Sequence, residues 1–244
     1  MRKRQVGGAL VIWFAHFFSL AHATLDFDGT NRFIFAEGAQ RLSIVVTNNS
    51  AYPTLLQTSL SWGDGRQQEL PMVLNTPMQV LPANGRGDVE VFYEGSGFAS
   101  DRESYVLLSA LDVSQAPKEP NTVQLALVHH FKLFFRPTLA STVEQAIAGL
   151  RWQGKASAAP TIQNDSPYFI TLSDIELRTA NNQRCGEIIS HVMVAPFSTA
   201  ELVSTCTEAM ASVYYDYVTD RGGMRPYEAR LSHATATVGT QVEE

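Results

Sequence analysis

The chain has 244 residues, 18 basic against 24 acidic, with a formal net charge of −6. No basic stripe is present to displace counterions, which argues against nucleic-acid binding. Only two cysteines occur, Cys185 and Cys206, and no second pair or nearby His at ligand spacing supports a metal site.

Arg2, Lys3 and Arg4 form a positive start, Ala9 to Leu20 is apolar, and Ala21-His22-Ala23 has the small-x-small form of a cleavage site. This is the layout of a secretory signal peptide over residues 1–23. The apolar run of about twelve residues is short against the roughly twenty that a membrane span needs. Removing the three basic residues leaves 15 against 24, a net of −9 on a mature chain of 221 residues beginning at Thr24. No later apolar run suggests membrane insertion.

Leu25-Asp-Phe-Asp-Gly-Thr30 copies the first motif of aspartate-nucleophile phosphohydrolases. That motif caps a buried strand of a parallel sheet, yet only the signal peptide lies upstream and no alternation of helix and strand follows. Short strands come next. Leu42, Ile44 and Val46 alternate before Asn48-Asn49-Ser50; Leu56, Leu60 and Trp62 share a face before Gly63-Asp64-Gly65; Val89, Val91 and Tyr93 alternate before Gly95-Ser96-Gly97. Tyr105 to Val113 and a Pro-rich loop lead into the longest signal, Val123 to Arg136. This stretch alternates over its first five positions and then turns almost wholly apolar, as a strand with two different faces would. His129 and His130 point to opposite faces of it, so they do not readily share one metal.

Thr138 to Thr142 reads as a linker and Val143 to Gly149 as a short helix. Strand signals resume at Tyr168–Leu177, Ile188–Ala195, Ala200–Ser204, Val213–Val218 and Tyr227–Leu231, with Gly222-Gly223 as a hairpin turn. Strands at this spacing without amphipathic helices indicate antiparallel sandwiches. The expected organisation is all-β: one domain over 24–138, a second over 139–232, and a mobile tail without periodicity over 233–244. In an exported chain Cys185 and Cys206 suit a disulfide, worth roughly 3 kcal/mol in the chain-entropy model; two free thiols are the alternative.

Several segments fall in one familiar order: Asn31-Arg-Phe-Ile-Phe35, Ile44-Val-Val-Thr-Asn48, Asp101-Arg-Glu-Ser-Tyr105, Leu111-Asp-Val113, Phe131-Lys-Leu-Phe-Phe-Arg-Pro137, Asn164-Asp-Ser-Pro-Tyr168, Met193-Val-Ala-Pro-Phe-Ser198 and Asp220-Arg-Gly-Gly223. In these the chain resembles the periplasmic pilus (fimbrial) chaperones, the PapD-like family, from about residue 24 to about 231. The resemblance implies two immunoglobulin-like β-sandwich domains arranged as a boomerang, no catalysis and no cofactor. It implies a periplasmic protein that binds pilus subunits by donating a strand and delivers them to an outer-membrane usher. Pilus chaperones are themselves a standing example of this sandwich and this binding mode. By the same resemblance Arg32 and Lys132 anchor the subunit's C-terminal carboxylate, and Val123, Leu125 and Leu127 fill the subunit's groove. Glu103, Arg136 and Asp220 form a charged network fixing the interdomain angle, and the short Ser114–Thr122 loop suggests the group serving rod-like pili. Alternation alone would equally let Val123, Leu125 and Leu127 cover the domain's own core. A secreted pilin or adhesin is the competing function, with the phosphohydrolase a remote third.

Overall fold

The computed structural model describes residues 25–115, 125–154 and 159–242. The expected signal peptide, Val123 and most of the Ser114–Thr122 loop lie outside them.

The first half forms β1 (Leu25–Asp26), β2 (Arg32–Ala36), β3 (Arg41–Asn48), β4 (Thr54–Trp62), β5 (Met72–Leu74), β6 (Met78–Leu81), β7 (Arg86–Tyr93), β8 (Ser104–Ser114) and β9 (Ala126–Arg136). They make two facing sheets, ordered β1-β3-β7-β5 and β2-β9-β8-β4-β6. Successive side chains on a strand point to opposite faces. Ile44, Val46, Val89 and Val91 therefore meet Leu56, Val106, Leu108, Phe131, Leu133 and Phe135 in one core. Phe27, from the Asp-Phe-Asp-Gly segment, is 4% exposed within that core, a packing role for a motif that elsewhere carries chemistry.

The second half begins with α1 (Val143–Ala148), closed by a reciprocal capping box between Thr142 and Gln145. It continues as β10 (Arg151–Gln153), β11 (Thr161–Asn164), β12 (Ile170–Thr179), β13 (Ile189–Val194), β14 (Ser198–Glu201), β15 (Met210–Val218), β16 (Met224–Arg230), β17 (Thr237–Val238) and β18 (Thr240–Gln241). The sheets are β14-β11-β10-β17 and β13-β12-β15-β16-β18, closing on Trp152, Ile162, Ile170, Leu172, Val213 and Tyr215. The fold is two β-sandwiches, as the strand spacing predicts, of the immunoglobulin-like kind that the resemblance implies.

The tail departs from expectation. β17 pairs with β10 in one sheet and β18 with β16 in the other, so the segment spans both. Gly239 lies between them where an added Cβ would fall 2.0 Å from Tyr215 Oη. Pairings of two residues are too short to leave a periodic trace, and their gain is the pairing of otherwise open strand edges.

Each domain has a buried asparagine at a corner. Asn48 Nδ2 donates to the carbonyls of Tyr52, Leu81 and Pro82, and Asn164 Nδ2 to those of Tyr168, Val194 and Ala195. The side-chain amide thus satisfies carbonyls that the strand ends leave without partners. Cys185 and Cys206 are joined as a disulfide. It ties the segment after β12 to the one before β15, and Gly186 (φ +80°) leaves room for the Cys206 backbone nitrogen, 2.8 Å from where its Cβ would stand.

Candidate functional site

β9 organises the candidate site because its two edges and two faces are treated differently. One edge pairs antiparallel with β8 along the whole strand, from Val113↔Ala126 to Ser104↔Phe135. The other edge pairs with β2 in parallel, and only from Arg32↔Lys132 to Ala36↔Arg136. Among the described residues, the edge from Ala126 to Phe131 is unpaired. Unpaired backbone donors and acceptors on a strand edge are a template for another strand.

The face that carries Phe131, Leu133 and Phe135 into the core carries Leu125 and Leu127 beyond it. Leu125 is 69% exposed and Leu127 45% exposed. Neither belongs to the domain's own core; they continue its face as exposed apolar side chains. The other face carries Lys132, Phe134 and Arg136 toward domain two.

Arg32 and Lys132 are direct register partners, so their side chains leave the sheet on the same side. Arg32 is 5% exposed, with its guanidinium 4.7 Å above the Phe134 ring. Its Nη1 donates to the Val218 and Thr219 carbonyls at 2.9 and 3.4 Å, and its Nη2 donates to Thr171 Oγ1 at 2.9 Å. It therefore stitches domain one to domain two. Burial pushes its pKa down, and Asp220 opposes that effect. Half-buried Lys132 has no hydrogen bond or ion pair among the described residues. Burial, and then the charge of Arg32, hold its pKa below the ordinary lysine value.

Glu103, Arg136 and Asp220 meet at the same junction. Arg136 Nε donates to Glu103 Oε1 at 2.6 Å, while Nη1 and Nη2 donate to the two Asp220 oxygens at 2.6 and 2.8 Å. Glu103 is 3% exposed; its Oε2 accepts from Phe169 N at 2.8 Å, and its own N–H donates to the Pro167 carbonyl at 2.9 Å. Burial raises the Glu103 carboxyl, with Arg136 and the Phe169 N–H pulling it back. Burial also works against the charge of Arg136, but Asp220 and Glu103 outweigh it and hold the guanidinium above its usual range. The rings of Tyr105, Phe134 and Phe169 pack together across the junction at 5.4–5.9 Å.

The structure thus gathers Arg32, Lys132, Glu103, Arg136 and Asp220 into one junction, with Leu127 on the free stretch of β9 and Leu125 just ahead of it. Three cations face two carboxylates, and the uncompensated charge sits at Lys132. Such a site can accept one anion. Sequence reasoning missed Thr171, Val218, Thr219 and Phe169. Nothing in their local pattern marks them, because their role is created by the docking of the second domain.

Residues 26–140 match the family model for the N-terminal domain of the PapD pili and flagellar-assembly chaperones, and residues 145–229 the model for the C-terminal domain of the PapD pili assembly chaperones. The probable fimbrial chaperone protein ElfD of Escherichia coli (strain K12) is 29% identical over 199 residues, 80% of this chain and 82% of its own length. The chaperone protein FimB/FhaD of Bordetella pertussis is 30% identical over 230 residues, 87% of this chain and 90% of its own. Among solved structures, the Pseudomonas aeruginosa CupB2 chaperone superposes with a TM-score of 0.70 at 27% identity, over 84% of this chain and 99% of that one.

Proposed function

The chain belongs to the PapD-like family of pilus-assembly chaperones, a non-enzymatic family, and we propose that it holds pilus subunits in the periplasm by lending them β9 and then passes them to an outer-membrane usher. The observation that carries this reading is the unpaired edge of β9 ahead of Lys132, with Leu125 and Leu127 exposed beside it. A subunit that lacks a strand presents an open apolar groove and an unpaired edge, which together aggregate. Strand addition satisfies both at once: backbone bonds along the edge, and alternate apolar side chains in the groove.

The charge at Lys132 sets the direction. A subunit carboxylate held by Arg32 and Lys132, with its chain lying along Ala126–Phe131, must run parallel to β9. It would end where β2 begins and share the same edge. A carboxylate is well matched to a guanidinium and an ammonium side by side.

Delivery requires a second surface that remains open while β9 is occupied. On the outer face of the β2-β9-β8-β4-β6 sheet, Val80, Leu55, Val113 and Ala126 form one cross-strand row. Val80 is 66% exposed, with Met78 and Val128 exposed alongside. An exposed apolar patch of this kind suits docking to an usher.

Co-expression with a strand-deficient subunit tests the reading. Wild-type chain should co-purify with it one to one, and Leu127→Glu should not, because a charge driven into an apolar groove is desolvated without a partner. Leu127 is exposed in the free chain, so the variant should keep its melting temperature. Capture by Leu127→Glu at the wild-type level would refute the strand-lending mechanism. Self-polymerisation of the purified chain would instead favour the pilin reading.

A further inference from the structure

β9 carries two adjacent histidines in different circumstances. His130, on the outer face, has its Nδ1 2.9 Å from Ser109 Oγ. The His129 ring lies 5.5 Å from Phe27 and stacks on Phe131 at 6.2 Å and 12°. Its Nε2 is buried with no hydrogen-bond partner among the described residues. A polar nitrogen shut among rings without a partner costs free energy that an aliphatic side chain of similar size would not.

Its place in the row gives that cost a use. Leu125, Leu127, His129 and Phe131 share one face, and exposure falls from 69% at Leu125 through 45% at Leu127 to 6% at Phe131. His129 is the last side chain before the core closes, and it stands on the stretch of β9 whose edge β2 leaves open. An apolar row detects a register slip of one residue, since every side chain then changes face. It is blind to a slip of two, which only moves one apolar side chain into the place of another. A polar position in the row removes that blindness.

We propose that His129 is a specificity-determining residue, a register lock whose imidazole turns from the Phe27 and Phe131 rings toward the captured strand, where Nε2 takes a hydrogen bond from a hydroxyl or amide side chain. The inference rests on the strand-lending function proposed above. A parallel client strand whose last residue fills the final free edge position, opposite Phe131, places the third residue from its C-terminus beside His129, with its side chain on the same face of the sheet. Clients with Ser, Thr or Asn at that position are favoured over those with Ala or Val. Slipped registers present an aliphatic group there and leave Nε2 unsatisfied.

Two synthetic strand peptides test this, each with alternating apolar residues and a free α-carboxylate, differing only in Ser or Ala at the third position from the end. Titrated calorimetrically into the purified chain, the Ser peptide should bind about fivefold more tightly, the worth of one ordinary hydrogen bond. His129→Leu should bind both peptides alike and, when free, melt at a higher temperature than wild type. His129→Gln should restore the preference. Equal discrimination by wild type and His129→Leu, or none by wild type, would overturn the assignment. Leu127→Glu separates the two levels. If it loses both peptides while wild type binds them without discrimination, only His129 falls. If it binds both peptides as wild type does, or if wild type binds neither, the strand-lending function fails and the register lock with it.

Discussion

At the residue scale, Arg32 and Lys132 look alike in the sequence and differ in the structure. Arg32 spends its guanidinium on three acceptors in domain two, whereas Lys132 has no partner among the described residues. Lys132→Ala should leave stability unchanged or slightly raised while weakening subunit capture by about 2–5 kcal/mol. Arg32→Ala should lose capture and also about 1–3 kcal/mol of stability, since it strands buried acceptors. Thermal melts beside capture assays separate the two, and amidating a client's C-terminus should weaken binding to wild type but not to Lys132→Ala. A pH titration adds a check of sign. Because burial lowers the pKa of Lys132 in the folded chain, the unfolded chain binds more protons in the alkaline window below the ordinary lysine value. Its contribution to stability therefore rises with pH there. Capture needs the ammonium, so affinity should fall over the same window. Stability and affinity moving together would contradict the anchor.

At the element scale, the disulfide between Cys185 and Cys206 clamps two loops of domain two. Reduction should cost domain two about 3 kcal/mol and leave the melting of domain one unchanged in a calorimetric scan. The strands themselves were largely legible. Ile44, Val46, Val89 and Val91 alternate because one face is core and the other is water. β9 loses its alternation after Val128 for an equally physical reason: Phe131, Leu133 and Phe135 enter the core while Phe134 is covered by Arg32, Tyr105 and Phe169. A strand buried on both faces has no polar side to show. β17 and β18 were not legible, since two residues carry no period, and the corner role of Asn48 and Asn164 hides behind ordinary turn chemistry.

At the scale of the whole molecule, the junction between the domains is where single-residue reading runs out. Glu103, Arg136 and Asp220 are far apart in the chain, and each would be unremarkable alone; only docking makes them a network. Arg136 sits between two carboxylates, one of them buried, and Arg136→Ala would leave Glu103 charged and unpaired. Breaking such a pair from one side typically costs about 3–5 kcal/mol. The variant should lose the fixed domain angle, seen as a broadened small-angle scattering profile and as separate unfolding of the two domains. An unchanged profile with a single transition would show that the aromatic packing of Tyr105, Phe134 and Phe169 suffices.

The parallel pairing of β2 with the last five residues of β9 has a consequence for which clients the chaperone admits. β2 starts beside Lys132, so under the proposed strand lending it would act as an end-stop: a guest strand lying on the free edge would meet the chaperone's own backbone on reaching that point. The edge is then a ruler read from the guest's last residue. A subunit lengthened by a C-terminal tag would collide with β2, and one clipped by a protease would leave the cationic end unfilled. Strand lending of this kind would check the completeness of the guest chain in the act of holding it.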